Sequence, residues 1–313
     1  MALEMTMQCV DNLLEKYVNE DIFIIIVDNK SPNGSGTELQ KYYENNKQVK
    51  VILHDKNDGF ARGNNVGFDY LKQNFDIDFM IVMNNDVIIE QKSFFYKISE
   101  IYQNYNFDVL GPDIYESEIY KHQNPIGHKP LDNKQCEQKI KEIKKILKKE
   151  TYNFYKYKIL HYAIYIWAKP LIKLILPSIY KKIVNKNNDK KNINGITIVD
   201  EKQQIAQENV VLNGACYIFS KRFINNRKYA FHPGTFMYIE EQIITLQCQK
   251  DGYKILYHPN VKIKHLCGIS SKKVHGNKKL IFMWKQHLKS LNVYMNIYNE
   301  YENKYTTCKT STK

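Results

Sequence analysis

Two hydrophobic periods alternate along the first part of the chain. Residues 5–18 (MTMQCVDNLLEKYV) carry apolar side chains at helical spacing, and Ile22 to Val27 (IFIIIV) is an unbroken, mostly β-branched apolar run. The first pattern predicts an amphipathic helix and the second a strand buried on both faces. The run stops at Asp28-Asn29 and the turn cluster Ser31-Pro32-Asn33-Gly34. The alternation then repeats: a helix over 37–45, a strand over Val49 to His54, an Asn- and Gly-rich loop at 56–64, a short helix over 65–74, and a strand Phe79 to Met83 (FMIVM) ending in Asn84-Asn85-Asp86. Strands that alternate with helices predict a parallel α/β sheet. Such sheets bind ligands at the carboxyl ends of their strands. Asp28-Asn29, Asn57 to Asn64 and Asn84 to Asp86 all fall there.

From about 132 to 204 the pattern lapses into a Lys-, Tyr- and Asn-rich stretch, in which Pro170 and Pro177 predict short, broken helices. The α/β pattern resumes at Asn209 to Phe219 and continues through Phe236 to Gln249, Tyr253 to Tyr257 and Val261 to His265. Residues 278–302 predict a long amphipathic helix. The expected organisation is an α/β domain in two halves, 1–131 and 205–277, interrupted by a basic, aromatic helical insertion at 132–204 and followed by a helix and tail at 278–313.

Composition narrows the function classes. The chain has 46 Lys plus Arg against 33 Asp plus Glu, a net charge of +13. That balance suits nucleic acid, anionic lipid or phosphorylated substrates. No RRM, zinc-finger or helix-turn-helix signature is present, so a nucleic-acid partner is not expected. The six cysteines are scattered without a CxxC pair and no signal peptide is visible, which predicts a reduced, cytosolic chain. No run of 18 apolar residues predicts a transmembrane helix. Residues 155–184 mix aromatic, aliphatic and Lys side chains, a composition that suits either an anionic membrane surface or a helical subdomain packed on the core.

Several residues have chemistry suited to a site, each with a structural alternative. Asp28 at a strand end accepts hydrogen bonds from a base or ribose, or serves as a cap or turn former. In the loop Asn57-Asp58-Gly59-Phe60-Ala61-Arg62-Gly63-Asn64-Asn65 the glycines permit close backbone approach and Arg62 can face a phosphate or ribose; many such loops are plain turns. Asn84-Asn85-Asp86 offers oxygen ligands to a hard divalent cation, or forms an Asx turn. The pair Glu240-Glu241 can supply a base if the two carboxylates separate each other's pKa values, or can complement a helix dipole. His265 at a strand end can ligate a metal, touch a phosphate, or be structural.

In this order the segments IIIVDNKSPNGS (24–35), NDGFARGNN (57–65), MNNDV (83–87), NGACYIFSK (213–221), PGTFMYIEEQII (233–244) and GYKILYHPNVKIKH (252–265) resemble family 2 glycosyltransferases, particularly the bacterial rhamnosyltransferase-like branch. The resemblance spans residues 5–300 except 115–204. It implies the GT-A nucleotide-diphospho-sugar transferase fold: a mostly parallel sheet flanked by helices. It also implies an inverting transfer of sugar to a glycan or lipid-linked acceptor in cell-surface polysaccharide synthesis, with Mg²⁺ or Mn²⁺, at the cytoplasmic face of the plasma membrane. By position, Asp28 matches the residue that binds the base or ribose. Asn57, Gly59 and Asn64 match the loop around the nucleotide, Asn84 to Asp86 match the family's DxD-like segment, and Gly214 and Ala215 match a glycine-containing segment near the acceptor. Asp86 and His265 match the metal or diphosphate ligands, and Glu240-Glu241 the base pair, with Glu241 favoured. The chain departs from the pattern in three ways. The family's first strand, which precedes the first helix, is absent from the sequence; Asn84 stands where many relatives have Asp; and Ile243 replaces a common acid. The missing strand leaves a second reading, an inactive member that binds a sugar nucleotide or glycan.

Overall fold

The computed structural model describes residues 3–116, 121–163, 204–266 and 277–310. The elements in chain order are α1 (Leu3–Lys16), β1 (Ile24–Asp28), α2 (Ser35–Tyr42), β2 (Val49–Leu53), α3 (Gly59–Asn74), β3 (Phe79–Met83), β4 (Val87–Ile88), α4 (Phe94–Tyr105), β5 (Val109–Glu116) and β6 (Lys121–His122). They continue with α5 (Asn133–Ala163), β7 (Gln207–Glu208), β8 (Cys216–Ser220), α6 (Lys221–Asn226), α7 (Glu240–Asp251), β9 (Ile255–His265) and α8 (Asn277–Thr310).

The fold is α/β, but the sheet is mixed rather than mostly parallel. β1 and β2 form a parallel pair, and a second sheet runs β3-β8-β5-β9-β4 with β6 on β5 and β7 on β9. In that larger sheet only β5–β9 is parallel; β3–β8, β5–β8, β4–β9, β5–β6 and β7–β9 are antiparallel. The expectation of parallel strands treats every apolar run as the end of a helical crossover. β4 instead follows β3 after a three-residue turn, and β8 enters after α5 and the residues beyond it. An apolar run records burial and carries no direction. Among the described residues no strand pairs with the second edge of β1 or of β3. Ile24, Ile25, Val27, Ile81, Val82 and Met83 are accordingly only partly buried, although all are apolar.

Four apolar clusters hold the layers together. On one side of the larger sheet, Leu13 of α1, Tyr17 just after it, and Phe94, Ile98 and Ile101 of α4 pack onto Leu110, Ile218 and Ile263. On the other, Phe68 of α3 and Phe223 of α6 pack on Tyr217, Phe219 and Tyr257. β1 and β2 pack against α1 and α2 through Val10, Ile26, Leu39 and Val51. The third cluster joins α5, α7 and α8 through Cys136, Ile143, Ile243, Leu246, Leu291 and Tyr294. Ile243, which departs from the family pattern, is therefore a buried anchor for α7, the helix that Glu240-Glu241 open. Because β3 pairs with β8, and β5 with β8 and β9, the 1–131 and 205–277 segments share one sheet.

Other elements also differ from expectation. α3 begins at Gly59, so most of the expected 56–64 loop is helix; Asn57 Oδ1 accepts from the Gly59 backbone N–H at 3.1 Å and starts it. Tyr253 to Tyr257 and Val261 to His265 are one strand, β9, whose register against β5 jumps between Pro112 and Asp113. α5 runs unbroken through its 31 residues to Ala163; Pro170, Pro177 and most of 155–184, where short helices are expected, lie outside the described residues.

α3 is tied to the segment before α7 through Gly59. That residue has φ +84°, and a Cβ on it would lie 2.0 Å from the Phe236 carbonyl oxygen, which also accepts the Phe60 N–H at 2.6 Å. Gly59→Ala therefore meets both a left-handed backbone and a backbone clash. It is expected to lower unfolding free energy in urea melts by about 2–4 kcal/mol; a loss under about 0.5 kcal/mol would contradict this account.

Candidate functional site

Asp28 ends β1 and Asn84-Asn85-Asp86 follow β3, while Glu240 and Glu241 open α7 and His265 ends β9. Asp28 is 5% exposed; its Oδ2 accepts the Ser31 N–H at 3.0 Å, while its Oδ1 is buried and has no partner among the described residues. Gly36 of α2 lies against that carboxyl so closely that a Cβ would meet its Cγ at 2.5 Å. The neighbouring Asn29 donates from Nδ2 to the Gly59 carbonyl at 2.8 Å and accepts the Asp58 N–H at 3.2 Å. These bonds clamp the end of β1 to the start of α3.

Some predicted ligand-facing groups are committed elsewhere. Arg62 Nε donates to the Pro233 carbonyl at 2.8 Å, which fastens α3 to the 233–239 segment. Asn64 Nδ2 turns back to the Phe60 carbonyl at 2.9 Å inside its own helix, and Asn85 Nδ2 donates to Thr6 Oγ1 of α1 at 2.8 Å. Asn84 contributes its backbone N–H, which donates to the Ala215 carbonyl at 2.9 Å. Two tying residues are among those the sequence did not single out by role: Asn29, and Asn65, which exchanges two hydrogen bonds with the Phe231 backbone at 2.7 and 3.0 Å.

The acidic pair sits at the first turn of α7. Tyr238 and Ile239, immediately before it, have φ of 73° and 71°. Two successive left-handed non-glycine residues are costly, the β-branched isoleucine most of all. The surroundings hold them: the Tyr238 ring stacks on His287 of α8 at 4.0 Å, and Ser290 Oγ donates to the Met237 carbonyl at 2.9 Å. Glu240 is 5% exposed and its Oε1 has no partner among the described residues. Burial pushes its carboxyl up to about 8 against the smaller opposing effect of a Thr235 hydrogen bond, and the Glu241 charge raises it further. Burial raises Glu241 as well, against a backbone hydrogen bond that lowers it. An acid that only complemented the helix dipole would be held low, so desolvation decides here. Glu241 is accommodated because residue 214 is glycine: a Cβ there would lie 2.7 Å from Glu241 Oε1.

The sheet register builds the second acidic group. β4 pairs antiparallel with β9 so that Val87 faces His265, which brings Asp86 beside the histidine. His265 Nε2 lies 3.1 Å from Asp86 Oδ1, and both side chains are 13% exposed. A neutral imidazole nitrogen with its lone pair forward and a carboxylate oxygen repel at that distance. A proton or a cation between them removes the repulsion. The donor set, one carboxylate and one imidazole, fits a divalent cation that takes its remaining oxygens from phosphate and water. Among the described residues no group of three or more His, Cys, Asp or Glu side chains is placed to hold a metal by itself.

Gly214 connects the two acidic groups. Next to it, Asn213 accepts the Ala215 N–H at 2.9 Å and donates from Nδ2 to the Gln123 carbonyl at 3.3 Å. The Asn213 N–H donates to Oδ1 of the fully buried Asn124 at 3.0 Å. Gln123 then reaches His265 Nδ1 at 2.9 Å. These amides were missed in the sequence because isolated Asn and Gln residues outside strand ends resemble any turn residues.

The raised Glu240 carboxyl has a signed consequence. A group whose folded pKa lies above its unfolded value stabilises fully below about 4.5 and loses that contribution as pH rises through about 8. Glu240→Gln is expected to gain stability relative to wild type between pH 5 and 8, up to roughly 5 kcal/mol, in paired urea melts. A pH-independent difference would remove the desolvation argument.

The model of the family Glycosyl transferase family 2 matches residues 3–168. No curated protein sequence matches the chain. Among solved structures, the chain is similar to the mannosyltransferase PcManGT from Pyrobaculum calidifontis in complex with GDP-Man and Mn²⁺, at 7% identity and a TM-score of 0.48 over 97% of this chain and 72% of that one. It is also similar to GalNAc-T7 with UDP, GalNAc and Mn²⁺, at 12% identity and 0.47 over 83% of this chain and 41% of that one. S. aureus TarS 1-349 matches at 11% and 0.41 over 81% and 57%. The chain thus spans less than two thirds of the length of GalNAc-T7 and of TarS. With the family match covering more than half of its 313 residues, the chain belongs to glycosyltransferase family 2.

Proposed function

We propose that this chain transfers a sugar from a nucleotide-diphospho-sugar to an acceptor hydroxyl with inversion, on a GT-A-type scaffold, with Glu241 as base and Asp86 and His265 as the holders of Mg²⁺ or Mn²⁺. The observation that carries the reading is the contact path joining Glu241, through Gly214, Asn213 and Gln123, to the Asp86–His265 pair. That path supports a reading in which a dry carboxyl and a cation-binding pair share one rim, since a transfer needs a base and charge neutralisation near each other.

Asp28, with its unpartnered Oδ1, is suited to accept from a base N–H or ribose hydroxyl. A cation, when bound, supplies neutralisation of the charge that develops on the departing diphosphate. The Glu241 carboxylate takes the proton of the acceptor hydroxyl. The oxygen bonds to the anomeric carbon as the bond to the diphosphate breaks, and the nucleoside diphosphate departs with that electron pair. A single displacement inverts the anomeric carbon. Glu240, held protonated at neutral pH by its burial, keeps a second negative charge away from Glu241.

The acceptor side of the proposal is a glycan or lipid-linked acceptor at an anionic membrane surface. α5 supports it: Lys139, Lys141, Lys144, Lys145, Lys148 and Lys149 are exposed, and Tyr152 and Tyr155 are 65% and 57% exposed. No helix among the described residues is long and apolar enough to cross a membrane. The alternative, an inactive family member that binds a sugar nucleotide or glycan, predicts donor binding without turnover.

Three measurements test the proposal. With UDP- and dTDP-linked sugars, including a rhamnosyl donor, wild type is expected to turn over. Glu241→Gln should lose at least about a hundredfold in kcat while its donor affinity in calorimetry holds. Asp86→Ala should lose Mn²⁺-dependent donor binding. Full activity in the first variant, or unchanged binding in the second, would remove the assigned role, and donor binding by an inert wild type would favour the alternative. In flotation, wild type should rise with anionic vesicles, and a variant with Glu at 144, 145, 148 and 149 should not; no flotation of wild type would end the membrane assignment.

A further inference from the structure

Gln123 lies between the cation pair and a carboxylate with no role so far. Its backbone is fixed, with its N–H on the Ile114 carbonyl at 2.8 Å and its carbonyl accepting from Asn213 at 3.3 Å. Its side chain spans two groups that the β5–β9 register sets opposite each other, Glu116 and His265. Gln123 Nε2 donates to Glu116 Oε2, and Gln123 Oε1 lies 2.9 Å from His265 Nδ1.

The chemistry of these groups fixes the protons. An ionised carboxylate only accepts, so the Gln123 amide must turn its NH₂ toward Glu116. Its oxygen then faces His265. An amide oxygen also only accepts, so His265 Nδ1 must carry the hydrogen. In the neutral ring Nε2 is then the nitrogen left with its lone pair toward Asp86 Oδ1, 3.1 Å away. With the amide reversed, its oxygen would face the Glu116 carboxylate, acceptor against acceptor. The Glu116 carboxylate therefore sets, through one intervening amide, which imidazole nitrogen is available to a metal.

We propose that Gln123, braced by Glu116, is a positioning residue that holds His265 in the Nδ1–H tautomer and so presents Nε2 as the cation ligand beside Asp86. This rests on the cation assignment above. Neither Gln123 nor Glu116 touches the cation; both act through the imidazole. Ligating histidines that lose such a partner bind metal about 10–100-fold more weakly.

The test reads tautomer and affinity separately. ¹⁵N-histidine NMR of the full chain with Mg²⁺ and UDP, with the His265 signals identified by their loss in His265→Gln, reports the tautomer. EPR titration with Mn²⁺ and UDP reports affinity. Wild type should show Nδ1–H at His265. Gln123→Met, similar in size but unable to accept strongly, should show a tautomer mixture, with its Mn²⁺ dissociation constant raised about 10–100-fold and its melting temperature little changed. The charge-conserving exchange Glu116→Gln with Gln123→Glu again puts an acceptor on Nδ1 and a donor–acceptor bond behind it, and should restore both readouts. Wild-type tautomer and affinity in Gln123→Met, or no recovery in the exchange variant, would overturn the proposal. A wild type that binds no Mn²⁺ would overturn the cation assignment and this proposal with it.

Discussion

A carboxylate oxygen and an imidazole nitrogen 3.1 Å apart are tolerable only if something positive lies between them. That requirement governs the larger sheet's rim. Asp86 and His265 are 179 residues apart in the chain, yet the pairing of Val87 with His265 makes their approach a matter of strand register. A slip of one residue would turn His265 to the other face of the sheet. The apolar contacts of Val87, Ile114, Val261 and Ile263 oppose such a slip, because all four are buried in one cluster. Hydrophobic packing thus sets an electrostatic distance.

Buried amides extend the same constraint to the acids of α7. Asn124 is fully buried, with its Nδ2 on the Pro112 carbonyl at 2.8 Å and its Oδ1 on the Asn213 N–H. A buried amide left unpaired costs more than a bonded one contributes, so this network resists rearrangement. It fixes Gly214, and Gly214 leaves the space that Glu241 fills. The strained Tyr238-Ile239 backbone approaches from the other side, braced by α8. Glu240 and Glu241 are thereby held where burial raises both carboxyls.

Much of this was legible in the residues. β3 runs from Phe79 to Met83 as its apolar run predicts, and Asp28, Asp86 and His265 stand at or just beyond strand ends as the pattern requires. Strand direction was not legible, since IFIIIV or FMIVM is equally apolar whichever way it runs. Nor was the start of α3, because Asn57-Asp58-Gly59 resembles a loop until Asn57 is seen capping the Gly59 N–H. The commitment of Arg62 to the Pro233 carbonyl depends on a contact across 171 residues, which local spacing cannot show. Gln123 and Asn124 follow β6 and carry no periodic signal; their importance arises only from what the fold brings to them.

The central claim is that one rim gathers a cation pair and a desolvated base around a single diphosphate. Anomalous diffraction from crystals grown with Mn²⁺ and a nucleoside diphosphate tests it most directly. The account predicts one strong manganese peak in contact with Asp86 and His265 Nε2, with the terminal phosphate on the side of Glu241. A manganese peak away from Asp86 and His265, or a nucleotide on a face that Glu241 does not reach, would contradict it.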